Sequence, residues 1–182
     1  YGVVFCRTKM DTQRLAEDLV KAGYRADAIH GDLSQAARDR VMKRFKQRDL
    51  QVLIATDVAA RGIDVNDLSH VFHFALPNDQ AYYTHRSGRT ARAGKKGISM
   101  SLIGFKEKYK IHNLEKGLGV EFARVDVPMA DAVVETRLRS WAMGLMAEAE
   151  GAAPPQELVD QIDFLLSPLS KEDMIARLVA RE

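Results

Sequence analysis

Apolar and polar positions fall into short blocks of two kinds along the first two thirds of the chain. Mostly apolar runs at 1–6, 25–30, 51–55 and 70–75 predict strands, with 97–103 and 121–125 as two more. Helical periodicity lies between them. Segment 11–22 places Leu15, Ala16, Leu19 and Val20 on one face, with Gly23 where a C-terminal cap belongs. Segment 34–46 forms a stripe of Ala37, Val41, Met42 and Phe45, and Arg38, Arg40, Lys43, Arg44 and Lys46 fill much of the remainder. Segments 79–86 and 105–117 complete the set. Strands alternating with helices predict an α/β fold, a parallel sheet with helices on both faces. Ligands of such sheets gather beyond the carboxyl ends of the strands, which directs attention to 7–9, 31–35, 56–64 and 83–94.

The last third follows a different pattern and predicts a small all-α extension. Val134, Leu138, Trp141 and Leu145 recur at heptad-like spacing within 131–150, and the GAAPP stretch at 151–155 ends that helix. Helices are also expected at 156–166, with Leu158, Ile162 and Leu165, and at 171–180, with Met174, Leu178 and Val179. Three short amphipathic helices make a thin core by themselves, so they are expected to pack on the first region or on another chain. The expected organisation is one domain over 1–125 and an extension over 126–182.

Charge sharpens that division. The 182 residues hold 27 Lys and Arg against 25 Asp and Glu. Residues 1–125 carry 22 basic and 14 acidic side chains, whereas 126–182 carry 5 and 11. The basic part suits a polyanion and the acidic part does not. A content of 46% hydrophobic and 29% charged residues argues against disorder, and no apolar run approaches the roughly 20 residues of a spanning helix. Cys6 is the single cysteine; it excludes an internal disulfide framework or multi-cysteine metal site and fits a reducing, cytoplasmic setting. The chain shows no secretory signal and begins at Tyr1 directly on an apolar run, so a piece of a longer protein is expected.

Three turns carry the candidate chemistry. In HRSGRTARAG, Arg86, Arg89 and Arg92 recur every third residue, and His85, Arg89 and Arg92 share one face if the helix continues that far. Planar guanidinium groups suit phosphate oxygens because they donate two parallel hydrogen bonds and keep their charge. A solvated basic face is the alternative. In LIATDVAARGIDV a buried strand runs into Thr56 and Asp57, followed by Arg61, Gly62 and Asp64. Asp64 suits sugar hydroxyls and Thr56 a phosphate; alternatively, Thr56 and Asp57 only cap the turn. In HGDLSQAAR, Gly31 permits close approach, Ser34 or Asp32 caps the next helix, and Arg38 sits in its first turn.

With VVFCRTK before them, these segments resemble the C-terminal RecA-like lobe of DEAD-box ATP-dependent RNA helicases, and within that family the bacterial cold-shock and ribosome-assembly type. VVFCRTK resembles motif IV, GDLSQAAR the Gln-and-Arg motif, ATDVAARGIDV motif V and HRSGRTARAG motif VI. The resemblance covers about 1–125. It implies that Arg92 is the arginine finger on the ATP γ-phosphate with Arg89 beside it, and that Asp64 contacts the ribose. It also implies that Thr56, Gly31 and Arg38 hold the RNA sugar–phosphate backbone with Gly62 in the same turn, and that His85 and Arg86 couple the two sites. The sequence has no Gly-rich phosphate loop with Lys-Ser or Lys-Thr, no Asp-Glu-Ala-Asp box, and lacks one helix that usually precedes motif IV. The triphosphate cradle and the Mg2+ ligands are therefore expected on an N-terminal RecA-like lobe, and the chain alone is expected not to hydrolyse ATP. The resemblance of 126–182 to the helical dimerisation segment of some relatives implies a homodimer. A DNA helicase lobe and a mainly dimerising module are the competing readings.

Other residues are expected to be chemically idle. His70 and His73 are three apart in a strand and face opposite ways, which disfavours a metal site. His112 is expected at the surface, Cys6 in the sheet, and Tyr82 and Tyr83 in packing rather than base stacking.

Overall fold

Thr8, Ser34 and Asp79 decide where the first long helices begin. Their side chains accept hydrogen bonds from the N–H groups of Asp11, Ala37 and Ala81 and satisfy donors that a helix start leaves unpaired. Each follows closely on a strand, so each strand hands over to a helix within a short turn. The computed structural model describes residues 1–60, 68–77, 79–91, 94, 96–148 and 154–180, with the side chains of 145–148 excepted. The chain divides into two compact units, Tyr1–Phe122 and Ala123–Glu182.

The first unit runs β1 (Gly2–Cys6), α1 (Lys9–Lys21), β2 (Ala26–Ile29), α2 (Gln35–Lys46), β3 (Val52–Thr56), α3 (Asp57–Ala60), β4 (His70–His73), α4 (Gln80–Ser87) and β5 (Ile98–Ser101). A 3-10 turn (Phe105–Glu107) and α5 (Lys108–Leu118) follow. The strands form one parallel sheet in the order β2-β3-β1-β4-β5. Cys6 lies opposite Thr56 and Ile29 opposite Ala55, which aligns the carboxyl ends of β1, β2 and β3 on one edge.

Alternation along the strands separates two cores. Val3, Phe5, Ile29, Leu53, Ala55 and Val71 face α2, whose Val41 and Phe45 complete that cluster. Val4, Cys6, Ala26, Ala28 and Ile54 face Ala16, Leu15 and Leu19 of α1. A third cluster joins Leu76, Tyr83 and Leu114 across α4 and α5. Burial pushes the Cys6 thiol up to about 11, so it stays protonated and inert at neutral pH. Tyr83 is a packing residue, stacked on His73 with ring centroids 4.6 Å apart.

The sequence-based elements differ from these at two places. Residues 121–125 form no strand. Phe122 donates its N–H to Glu115 Oε1 at 3.0 Å and sets its ring edge-on to Tyr83, so Phe122 is tied to the helical layer instead of the sheet. Asp57–Ala60, read as part of a turn, is one turn of helix with Ala59 and Ala60 buried.

The second unit consists of α6 (Ala130–Glu148), α7 (Gln156–Leu166) and α8 (Lys171–Val179). None of its described residues is buried. Val134, Leu158, Ile162, Leu165 and Leu178 remain exposed, while Leu138 and Trp141 are half-buried. No helix among the described residues is long and apolar enough to cross a membrane.

Candidate functional site

The carboxyl edge of β1, β2 and β3 brings together three sequence-derived candidates. Thr56 ends β3, Gly31 lies two residues past β2, and Arg38 is one turn into α2. Gly31 is exposed, and a Cβ built on it meets no protein atom within 4 Å. This leaves room for a ligand backbone. Lys9 and Asp32 join the turns after β1 and β2 at 2.7 Å, and the hydrogen bond from Lys9 holds the Asp32 carboxyl below its ordinary range. Thr56 Oγ1 is 3.5 Å from the Ala59 N–H, at the limit of a hydrogen bond, so the hydroxyl is only weakly engaged in capping.

Helix α4 carries the arginine-rich segment across the sheet. It starts beyond the carboxyl end of β4 and runs back against the strand direction, as a right-handed crossover requires. Its end therefore lies at the opposite edge: the Arg89 carbonyl accepts the N–H of Leu68, two residues before β4, and Thr90 Oγ1 donates to the Leu68 carbonyl. The sequence reading grouped 83–94 with turns at the carboxyl edge; for Arg89 and Thr90 the structure places them at the amino edge. It also ends α4 at Ser87, with Gly88 as cap, so His85 and Arg89 do not continue one helical face. His85 is exposed near the end of α4, and Arg89 is half-buried.

Arg86 has a different setting from the rest of that segment. Its side chain is only 4% exposed, and Nε and Nη2 donate to Asp57 Oδ1 and Oδ2 at 2.6 and 2.7 Å. Nη1 donates to the Ala75 carbonyl at 2.8 Å and stands 3.5 Å from His73 Nδ1. A bidentate pair of this kind fixes both partners in orientation as well as distance. It joins the residue that follows β3 to the last turn of α4. The clamp also forms a wall of a cavity of about 190 Å3, which Arg7, Pro77, Asp79 and Tyr82 line as well.

His73 supports the clamp from beneath. Fully buried, it has Nε2 3.2 Å from both Ser87 Oγ and Ser99 Oγ. Burial first, and then the Arg86 charge, lower its pKa to about 3, so the ring is neutral. With Nδ1 facing a guanidinium donor, the proton belongs on Nε2. Sequence reading gave neither Asp57 nor His73 a functional place. In the sequence Asp57 suggests only a cap, and the three-residue spacing of His70 and His73 speaks only against a metal. Gly62, Asp64 and Arg92 lie outside the described residues. Among the described residues, no three carboxylate, imidazole or thiol side chains converge as a metal site would need.

A five-stranded parallel sheet with its candidate residues split between two edges and joined by an arginine–aspartate clamp defines the class. The chain belongs to the helicase conserved C-terminal domain family, which matches residues 2–94. It is 43% identical over 149 residues to the DEAD-box ATP-dependent RNA helicase CshA of Bacillus thuringiensis strain Al Hakam, covering 82% of this chain and 28% of that protein. The chain thus spans under a third of the length of the curated relatives it matches. A DEAD box protein from Methanococcus jannaschii superposes with a TM-score of 0.65 at 48% identity, over 69% of this chain and 35% of that one. Escherichia coli SrmB, in a crystal structure with regulator of ribonuclease activity A, gives 0.62 at 40% identity, over 69% and 74%. Within its family the chain is a bacterial C-terminal RecA-like domain of the DEAD-box type.

Proposed function

We propose that the chain is the second lobe of an ATP-dependent RNA helicase, working with an N-terminal RecA-like lobe that holds the triphosphate and Mg2+. The observation that carries this reading is the separation of candidate residues onto two edges with α4 between them. RNA backbone is bound at the carboxyl edge by Gly31, Arg38 and Thr56, and Gly62 serves the same strand. ATP is met by Arg89, at the other edge, together with Arg92 on the γ-phosphate and Asp64 on the ribose. Arg89 and Arg92 neutralise charge that develops in phosphoryl transfer, a stabilisation that acts only when the lobes close. Arg86 couples the edges through Asp57, and exposed His85 offers the contact to the other lobe. Mg2+ supplies charge neutralisation at the phosphates when bound; nothing among the described residues here offers it a ligand set.

Contacts to phosphate and sugar make the binding insensitive to sequence and sensitive to salt. The likeness to CshA, an RNA helicase, supports RNA over DNA. The separate second unit, with its exposed apolar positions, supports the reading that 126–182 joins two copies of the chain. The bacterial relatives support a cytoplasmic location. The direct test joins this chain to its N-terminal lobe and compares short RNA and DNA duplexes as substrates. RNA unwinding that depends on ATP and falls at least tenfold in Arg38→Ala is expected; equal unwinding of both duplexes, indifferent to Arg38, contradicts it.

A further inference from the structure

The segment after β5 has no part in the arrangement above. Leu102 donates its N–H to the His73 carbonyl, so Gly104 and the 3-10 turn emerge at the carboxyl end of the sheet, the edge that carries Gly31 and Thr56. There the chain reads Phe105, Lys106, Glu107, Lys108, Tyr109, Lys110. Phe105 is 85% exposed and Tyr109 62% exposed, four residues apart across the junction of the turn with α5. Exposing two large rings has an unfavourable hydration free energy, and neither is held by a core cluster.

Basic side chains outnumber acidic ones around the rings. Lys108 Nζ lies 4.4 Å from the Phe105 ring centroid, and Lys106 is exposed beside it. Glu107 is the single acid of the stretch, and Lys110 occupies it at 2.8 Å. That hydrogen bond is the main reason the Glu107 carboxyl lies below its ordinary range. Smaller contributions in the same direction come from the Gly104 N–H, the Lys110 charge and the charge of Arg7. Three strand spacings separate the end of β3 from the end of β5, about 14 Å along one edge.

Exposed rings interleaved with lysines match how proteins hold single-stranded nucleic acid without reading its sequence. Bases stack on the rings while cations follow the phosphates. We infer that Phe105 and Tyr109, with Lys106 and Lys108, form an accessory stacking platform for unpaired bases of an RNA strand whose backbone lies on Gly31 and Thr56. This rests on the proposed RNA reading of the carboxyl edge and extends it. The platform gives this lobe a grip on the unpaired strand beyond the backbone contacts.

The test titrates the 182-residue chain with a ten-nucleotide oligouridylate RNA and follows amide and aromatic-ring NMR signals into the millimolar range. The Phe105 and Tyr109 ring signals are expected to shift and saturate together with the Gly31 and Thr56 amides. Phe105→Ala and Tyr109→Ala should each weaken binding at least about fivefold, and both sites are exposed enough to leave the fold intact. Lys106→Gln and Lys108→Gln should each reduce the slope of log affinity on log salt by about 0.7. Shifts at Gly31 and Thr56 with silent rings would overturn the platform while leaving the backbone reading in place, and would leave the aromatic face to a protein partner. Silence at all four positions would overturn both.

Discussion

At the residue scale, the Arg86–Asp57 clamp and the histidine beneath it decide more than any exposed charge. Removing one member of a buried pair leaves the other uncompensated. Arg86 is almost wholly buried and Asp57 about a quarter exposed, so Asp57→Ala should destabilise the chain by about 2–4 kcal/mol in urea unfolding. An exposed pair such as Lys9–Asp32 should leave the urea midpoint almost unchanged when broken. His73 makes a signed prediction about pH. Kept neutral in the fold, it takes up its proton only on unfolding, so its stabilisation is complete above about pH 6.5. Below that, stability falls by about 1.4 kcal/mol per pH unit until the folded pKa near 3 is reached. His73→Asn keeps a donor and an acceptor but does not titrate, and should flatten the difference in urea midpoint between pH 7 and pH 5. Arg86 is legible in the sequence as a candidate, but its contacts to Asp57 and His73 are not. Alternation placed His73 on a face but could not bring it to Arg86, thirteen positions later, because that contact depends on how α4 packs.

At the element scale, α4 is the bridge between the two edges, and Thr90 ties its far end to Leu68. A Cβ on Gly97 would overlap Thr90 Oγ1 and come within 2.7 Å of the Ala91 nitrogen, at the point where Thr90 is bonded to Leu68. Gly97→Ala should therefore destabilise by about 1–3 kcal/mol through overpacking, and should lower ATP turnover of the two-lobed protein more than RNA binding. Gly31→Ala is the counterpart at the other edge. Its Cβ meets no neighbour, so unfolding midpoints should be unchanged or slightly raised while RNA affinity falls. The element pattern itself was readable from the sequence. Five strands and the helices α1, α2 and α4 lie within a few residues of their expected positions because period and capping residues agree. Segment 121–125 reads as a last strand by its apolar residues, whereas Phe122 is drawn to Tyr83. The direction of α4 was implicit in the parallel topology, yet the Arg89 position follows only once that topology is known.

At the scale of the whole molecule, a basic lobe and an acidic helical unit share one chain, and their roles are separable. Sedimentation of the full chain against a truncation ending at Asp126 should give a dimer for the first and a monomer for the second. Two monomers at high micromolar concentration contradict a dimerising tail and leave the lobe untouched. For the lobe, the central claim is that it completes an ATP site it cannot form alone, and steady-state ATP hydrolysis tests this most directly. The chain by itself should show no RNA-stimulated turnover. Joined to its N-terminal lobe it should turn over ATP in response to RNA, and Arg92→Ala should reduce that rate by about a thousandfold or more. RNA-stimulated hydrolysis by the isolated chain, abolished by Arg92→Ala, would contradict the account.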